Sequence, residues 1–374
     1  MSGVVFLELG AVVFGLAVLA RIADRLEISP IPLYLAAGLI FGEGGLAQLD
    51  LSEDFLEISA EIGVILLLLT LGLEYTAGEL KTALRSGTRA GALDLVLNAT
   101  PGVIAAVVLG FGAKETLLLA GITYISSSGI VSKVLRDRDW LGNRETPSVL
   151  SLLVLEDLAM ALYLPVLGAV LLGGSIGRAV LAVVIAITVL LAVLVGALRY
   201  AHLLNRLLAT RSNEALLLGV VGLTLLVAGA TQELQISAAV GAFLVGIALS
   251  GPVQERATAL IDPLRDLFAA LFFLFFGLQI DPGDVVSWLA PAIVLGLATA
   301  ATKFLTGTWA ARRAGVGRRG QARAGTALIA RGEFSIVIAG IGATAGVDSD
   351  LGSLAAGYVL LLAAAGPVLA HFTD

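Results

Sequence analysis

The sequence has no cysteine, two histidines and two methionines, and only 14% of its 374 residues are Asp, Glu, Lys or Arg. Without cysteine there is neither a disulfide scaffold nor a thiolate-held zinc or iron–sulfur centre. His202 and His371 are too few and too peripheral for a histidine metal cluster. The shortage of charge says the most. Ordinary soluble domains carry about 25% charged residues, and a globule this poor in them cannot dress its surface against water unless lipid covers part of it. Most soluble enzymes and all disorder are thereby excluded, and collagen is excluded because the 44 glycines have no three-residue period.

What is abundant is apolar surface, with 58% hydrophobic residues and a mean hydropathy of +0.98. Thirteen candidate spans can be marked, near 3–20, 30–42, 58–73, 90–110, 115–135, 148–171, 177–198, 213–230, 234–250, 265–280, 287–310, 322–345 and 351–371. Several approach the roughly 20 residues a helix needs to cross hydrocarbon. Barrel strands would alternate in polarity, whereas LAVVIAITVLLAVLVGAL (181–198) is apolar on every face, so only helices remain. The first stretch has no basic region before it and no small-residue cleavage site after it, and is read as a retained span rather than a signal peptide.

Charge then gives orientation. Connections after odd-numbered spans hold most of the basic residues, among them Arg21, Arg25, Lys81, Arg85, Arg206 and Arg313, while those after even-numbered spans hold only Lys114 and Arg178 and are rich in acids. This bias predicts a multi-pass protein of the cell membrane with its N-terminus outside and its C-terminus in the cytoplasm. The count divides into a six-helix unit (1–172), a linker helix and cytoplasmic loop (173–212) and a second six-helix unit (213–374). Six spans and one linker set the second unit upside down relative to the first, so an inverted repeat is expected.

The charges left inside apolar context are few: Lys303, Arg331, Asp94, Glu156 and Asp157, with Glu74, Glu233 and Glu333 near segment ends. An intramembrane ion costs several kcal/mol or more unless paired or hydrated, so function is sought there. In GITYISSSGIVSKVL, Thr123, Ser126, Ser127, Ser128 and Gly129 fall mid-span. Such a segment can unwind and offer carbonyls and hydroxyls to a cation, or can simply allow close helix packing. Downstream, Glu156 and Asp157 project about 100° apart on one apolar helix, so both can border one cavity. A buried carboxylate whose proton affinity depends on its neighbours suits exchange of protons for cations; the alternative is an ion pair that only joins helices. Lys303 needs an acid, with Asp157 or Glu156 as candidates. Arg331 does not deprotonate and is assigned to holding an acid or a broken helix end, beside Glu333 in a second glycine-punctuated span.

GLEY (72–75), ISSSGIV (125–131), LEDLAMALYLPVL (155–167), LFFLFFGLQID (271–281), TKFLTG (302–307) and ARGEFSIVIA (330–339) stand in an order and spacing that resemble the monovalent cation:proton antiporter family. The similar branch holds the Kef-type potassium efflux systems and the thirteen-span bacterial sodium/proton antiporters. The resemblance covers essentially the whole chain. It implies an all-α polytopic membrane protein with two inverted six-helix units and two crossed discontinuous helices, around Ser126–Ser128 and Gly332–Phe334. It also implies a core domain from spans 4–6 and 11–13 moving against a dimerisation domain, a homodimer, and no enzymatic activity. Asp157 matches the family's principal ion- and proton-binding aspartate. Glu156 falls where Kef-type relatives usually have Gln and electrogenic sodium antiporters have Asp, and Lys303 matches the basic residue of the eleventh span.

No Gly-rich phosphate-binding βαβ unit follows the thirteenth span, so no cytoplasmic nucleotide-binding domain is read in this chain; a separate cytoplasmic nucleotide-binding subunit, a regulatory part removed from this sequence, and no regulation at all are the alternatives left open. The expected activity is exchange of a monovalent cation, K⁺ before Na⁺, for protons by alternating access. No bound cofactor and no nucleic acid are implied; the lipid bilayer is the solvent. Ion/proton-binding candidates are Asp157, Glu156, Thr123, Ser126, Ser127 and Ser128, the first two as ligands of the transported cation; Lys303, Arg331 and Glu333 pair charge or stabilise helices. The alternatives are a gated cation channel or efflux pathway without obligatory proton exchange, and an inert scaffold or receptor subunit. An intramembrane hydrolase is disfavoured, since the serines lack a nearby His.

Overall fold

A computed structural model of the chain describes residues 3–26, 28–42, 53–74, 77–171, 205–233, 238–347 and 349–373, with isolated positions 45, 184, 188 and 203. Among them there is no strand. The helices are α1 (Gly3–Arg25), α2 (Ile31–Phe41), α3 (Glu53–Glu74), α4 (Ala77–Val108), α5 (Ala113–Tyr124), α6 (Ser128–Asp137), α7 (Thr146–Leu171), α8 (Asn213–Glu233), α9 (Ala238–Ala248), α10 (Gly251–Leu278), α11 (Pro282–Ser287), α12 (Leu289–Arg313), α13 (Arg318–Ala327), α14 (Glu333–Thr344) and α15 (Ser349–His371). Among the described residues, six segments are long and apolar enough to cross a membrane: 88–108, 113–135, 146–168, 213–233, 289–313 and 350–371. Most of the expected seventh span and linker lies outside the described residues.

Burial departs from that of a soluble protein at its outer faces and at a few inner charges. Val107, Leu226 and Leu297 face outward at 67%, 74% and 68% exposure, while Asp94, Asp157, Lys303 and Arg331 are fully buried. Apolar side chains on the outer faces of helices are solvated by lipid at no cost, and backbone groups inside hydrocarbon stay paired because each helix bonds within itself.

The chain separates into two compact units. One contains Met1–Leu56, Ser86–Glu156 and Phe273–Asp374. In it α12 and α13 form a hairpin, α5 packs on α14, and α15 runs beside α12, α13 and α14. Asp281 starts α11 as its N-cap, accepting a hydrogen bond from Gly283 N at 2.7 Å, with Pro282 in the first turn where no amide donor is needed. The other unit contains Glu57–Arg85 and Asp157–Phe272. There α8 packs on α9, and α3 meets α9 at Gly72 and Gly246, where a Cβ on Gly72 would lie 2.9 Å from the Gly246 Cα. Small residues are what lets two helix backbones approach so closely in lipid.

Two helices are interrupted, both in the first unit. α5 ends at Tyr124 and α6 begins at Ser128; α13 ends at Ala327 and α14 begins at Glu333. The intervening segments meet, Ser127 N donating to Ala330 O at 3.0 Å. Gly332 allows the crossing, since a Cβ there would lie 2.6 Å from Ser127 Oγ and 2.9 Å from Ser127 Cβ.

Candidate ion-binding site

A broken helix in hydrocarbon exposes carbonyls at one new end and amides at the other, each costly if left unsatisfied. The crossing creates two ends of each kind, and two charged side chains serve them. Arg331, fully buried, donates through Nη1 to Leu328 O and Ile329 O at 3.1 Å each and to Ala330 O at 3.4 Å, at the C-terminal end of α13. Its Nη2 donates to Thr123 O at the C-terminal end of α5, 3.1 Å away, and its Nε to Tyr358 Oη at 3.0 Å. Tyr358 passes its own proton to Thr299 Oγ1 at 2.9 Å. The guanidinium therefore sits where both helix dipoles are negative. Glu333 does the converse: its Oε1 accepts from Gly129 N at 3.3 Å in the first turn of α6, and its Oε2 accepts from Ser127 Oγ at 2.6 Å. Ser335 Oγ, one turn into α14, donates to Ile122 O at 2.9 Å. Arg331 and Glu333 thus bind opposite poles of the crossing rather than each other.

Glu156 reaches the crossing from α7. Its Oε2 accepts from Ser126 N at 2.5 Å, and its Oε1 from Ser126 Oγ at 3.2 Å; Ser126 Oγ also lies 3.1 Å from Leu328 O. Lys303 of α12 lies on the other side of this carboxylate, with Nζ 2.9 Å from Glu156 Oε1. The same ammonium donates to Asp94 Oδ1 at 3.0 Å and Oδ2 at 2.9 Å, and stands 5.3 Å from the centre of the Tyr124 ring. Asp94, Glu156 and Lys303 are all at least 99% buried. Two carboxylates against one ammonium leave an excess of negative charge that a proton or a metal cation can balance. Asp157, the next residue along α7, is fully buried.

Thr123 Oγ1 bonds back to Leu119 O at 2.9 Å, and its carbonyl is the one held by Arg331. Ser128, buried, is the first residue of α6. Of the two acids considered for Lys303, Glu156 is bonded to it, and Asp94 is its second partner. Asp94 was visible as an intramembrane acid, but its pairing with Lys303 was not. Asn98, Thr302, Thr299 and Tyr358 join the network as well; as neutral residues in apolar helices they gave little signal beyond the one-turn spacing of Asp94 and Asn98. Among the described residues, no cluster of three or more His, Cys, Asp or Glu is arranged to hold a resident metal ion.

The family model for the transmembrane sodium/hydrogen exchanger matches residues 12–373. The K(+)/H(+) antiporter subunit KhtU of Bacillus subtilis is 35% identical over 381 aligned residues, covering 99% of this chain and 93% of that protein. The ammonium/H(+) antiporter subunit AmhT of Alkalihalophilus pseudofirmus is 28% identical, covering 89% and 85%. The sodium proton antiporter MjNhaP1 of Methanocaldococcus jannaschii shares the fold, with a TM-score of 0.74 at 17% identity over 98% of both chains. With the match running nearly end to end over a helical fold crossed at two broken helices, the chain belongs to the sodium/hydrogen exchanger family and is a polytopic membrane protein that works as a secondary active cation/proton antiporter, not as an enzyme.

Proposed function

We propose that the exchanged cation is K⁺ in preference to Na⁺, and that Asp157 and Glu156 of α7 carry the cation and the proton in turn. The observation that carries this reading is the buried carboxylate of Glu156, held at once by Ser126 of the broken helix and by Lys303, with the buried Asp157 beside it in sequence. Ionised, the acids attract a dehydrated monovalent cation; protonated, they release it. One set of carboxylates serving both ions makes occupancy mutually exclusive, which is what couples the two fluxes during alternating access. Ser127 and Ser128, with the backbone of the α5–α6 break, would complete the cation's oxygen shell, while Arg331 and Glu333 hold the broken ends in place. The K⁺ preference is supported by the 35% identical relative, a K(+)/H(+) antiporter subunit.

The reading extends to assembly. The basic loops favour an N-terminus outside and a C-terminus in the cytoplasm. We place spans 4–6 and 11–13 in a moving core and the remaining spans in a dimerisation domain of a homodimer, with a separate cytoplasmic regulatory subunit as partner. The channel alternative gains no support from the three relatives named above, which are antiporters or antiporter subunits by name. The test is a cation panel of K⁺, Na⁺, Rb⁺ and Li⁺ in proteoliposomes loaded with a pH-sensitive dye. Proton movement that saturates at the lowest concentration with K⁺ supports the proposal; saturation at lower Na⁺ than K⁺ rejects the preference. Downhill cation flux with no proton movement rejects exchange itself.

A further inference from the structure

Asp94 has no part in the exchange described above, yet it takes the larger share of the only ammonium bonded to Glu156 among the described contacts. Both of its oxygens lie within 3.0 Å of Lys303 Nζ, whereas Glu156 offers that nitrogen one oxygen at 2.9 Å. The ammonium thus sits astride the whole Asp94 carboxylate and touches Glu156 at a single oxygen. Asp94 is itself oriented. Asn98, one turn along α4 and fully buried, donates from Nδ2 to Asp94 Oδ1 at 2.9 Å and to Asp94 O at 2.8 Å. The Asn98 Oδ1 in turn accepts from Thr302 Oγ1 at 2.7 Å, on the residue preceding Lys303. Asn98 Nδ2 also lies 3.4 Å from Thr306 Oγ1, on the same helix as Lys303.

A pair that served only to tie α4 to α12 would need one carboxylate and one ammonium. A second buried acid adds a desolvation cost that packing alone does not explain. From this arrangement we propose that Asp94 is a positioning residue of the ion site: it holds Lys303 through both of its carboxylate oxygens, so that Glu156 is only partly neutralised and the site keeps the negative charge that draws in a monovalent cation. The inference rests on the reading that the acids of α7 bind the cation. With Asp94 neutral, the full charge of Lys303 falls on Glu156, and cation binding weakens.

The test is a cation titration of the full-length protein in proteoliposomes, with dye-reported exchange giving KM and maximal rate separately. Asp94→Asn is expected to raise the cation KM about tenfold, the scale of one charge-assisted hydrogen bond. Asp94→Glu, which restores the charge, should bring KM back to within about threefold of the parent value. In a Lys303→Gln background there is no ammonium to position, and adding Asp94→Asn should shift KM by less than about twofold. An unchanged KM in Asp94→Asn overturns the proposal, and so does an equal shift in both backgrounds. A lower maximal rate and melting temperature at unchanged KM would make Asp94 a strut between α4 and α12, and would equally overturn it. If Asp94→Asn does not fold, Asn98→Ala decides, since it leaves the Asp94 carboxylate in place and removes the amide that orients it: a raised KM supports the proposal and an unchanged one overturns it. Asp157→Asn is the separate control. Exchange retained in that variant removes the functional reading whatever Asp94 does, whereas exchange lost there with KM unmoved in Asp94→Asn removes this inference alone.

Discussion

Replacing Arg331 by Met keeps the length and apolar stem of the side chain and deletes the guanidinium that holds the crossing. Four carbonyls, those of Thr123, Leu328, Ile329 and Ala330, lose a charged donor, and Tyr358 loses its Nε–H partner. Each buried acceptor left bare costs about 1–3 kcal/mol. The Ala330 carbonyl keeps Ser127 N, and the Leu328 carbonyl shares the single Ser126 hydroxyl proton with Glu156, so Thr123 and Ile329 carry most of the loss. Taking those two near the middle of that range gives about 4 kcal/mol. At roughly 2–4 °C per kcal/mol for a cooperative unit of this order, the melting temperature in detergent should fall by about 10 °C. Arg331→Lys is expected to recover less than half of that, because a compact ammonium with three hydrogens cannot span two helix ends that a planar fork of five donors reaches. The assay is thermal unfolding of purified protein followed by size-exclusion recovery or intrinsic fluorescence. A Met variant melting within about 3 °C of the parent would refute the reasoning that one guanidinium neutralises both negative ends.

Gly332→Ala puts a methyl group 2.6 Å from Ser127 Oγ, so the crossing has to open; exchange rate should fall at least about fivefold while protein yield stays measurable, and an unaffected rate would show that the crossing tolerates strain. Glu333→Gln keeps an acceptor for only one of Ser127 and Gly129 and removes the negative charge at the start of α6, so a stability loss of at least about 1 kcal/mol is expected in the same melting assay, and an unchanged melting temperature would refute the capping role. Glu156→Gln leaves Lys303 paired with Asp94 alone; currents on a solid-supported membrane should respond differently to an imposed voltage than in the parent, and identical currents would mean that Glu156 carries no charge through the cycle.

Much of this was legible because hydrocarbon makes exceptions conspicuous. Ser126–Ser128 mark one break only as one of two readings, since mid-span hydroxyls and glycines also serve close helix packing, as Gly72 and Gly246 do, and the break at Gly332 was implied by the family resemblance. For Arg331 the sequence left an acid or a broken helix end open, because a charge that cannot be removed must be satisfied by one or the other, and its hydrogen bonds select the broken ends. Partners were harder. Lys303 and Asp94 lie 209 residues apart, and nothing in the sequence ranks Asp94 above the acids of α7; only the packing of α4 on α12 decides it. Tyr358, Thr299 and Asn98 carry no charge, and a hydroxyl or amide in an apolar helix is as often bonded to its own backbone as to a distant side chain. The six-residue α11 carries a single sequence mark, Asp281 followed by Pro282, which signals a helix start but not so short a helix.

The most direct test of the central claim is cation-dependent proton movement by Asp157→Asn in proteoliposomes, beside the parent and at matched protein density. The account expects the K⁺-evoked dye response to fall to the level of empty vesicles, while the melting temperature stays close to that of the parent. A response comparable to the parent would contradict the claim that the α7 acids exchange protons for a monovalent cation.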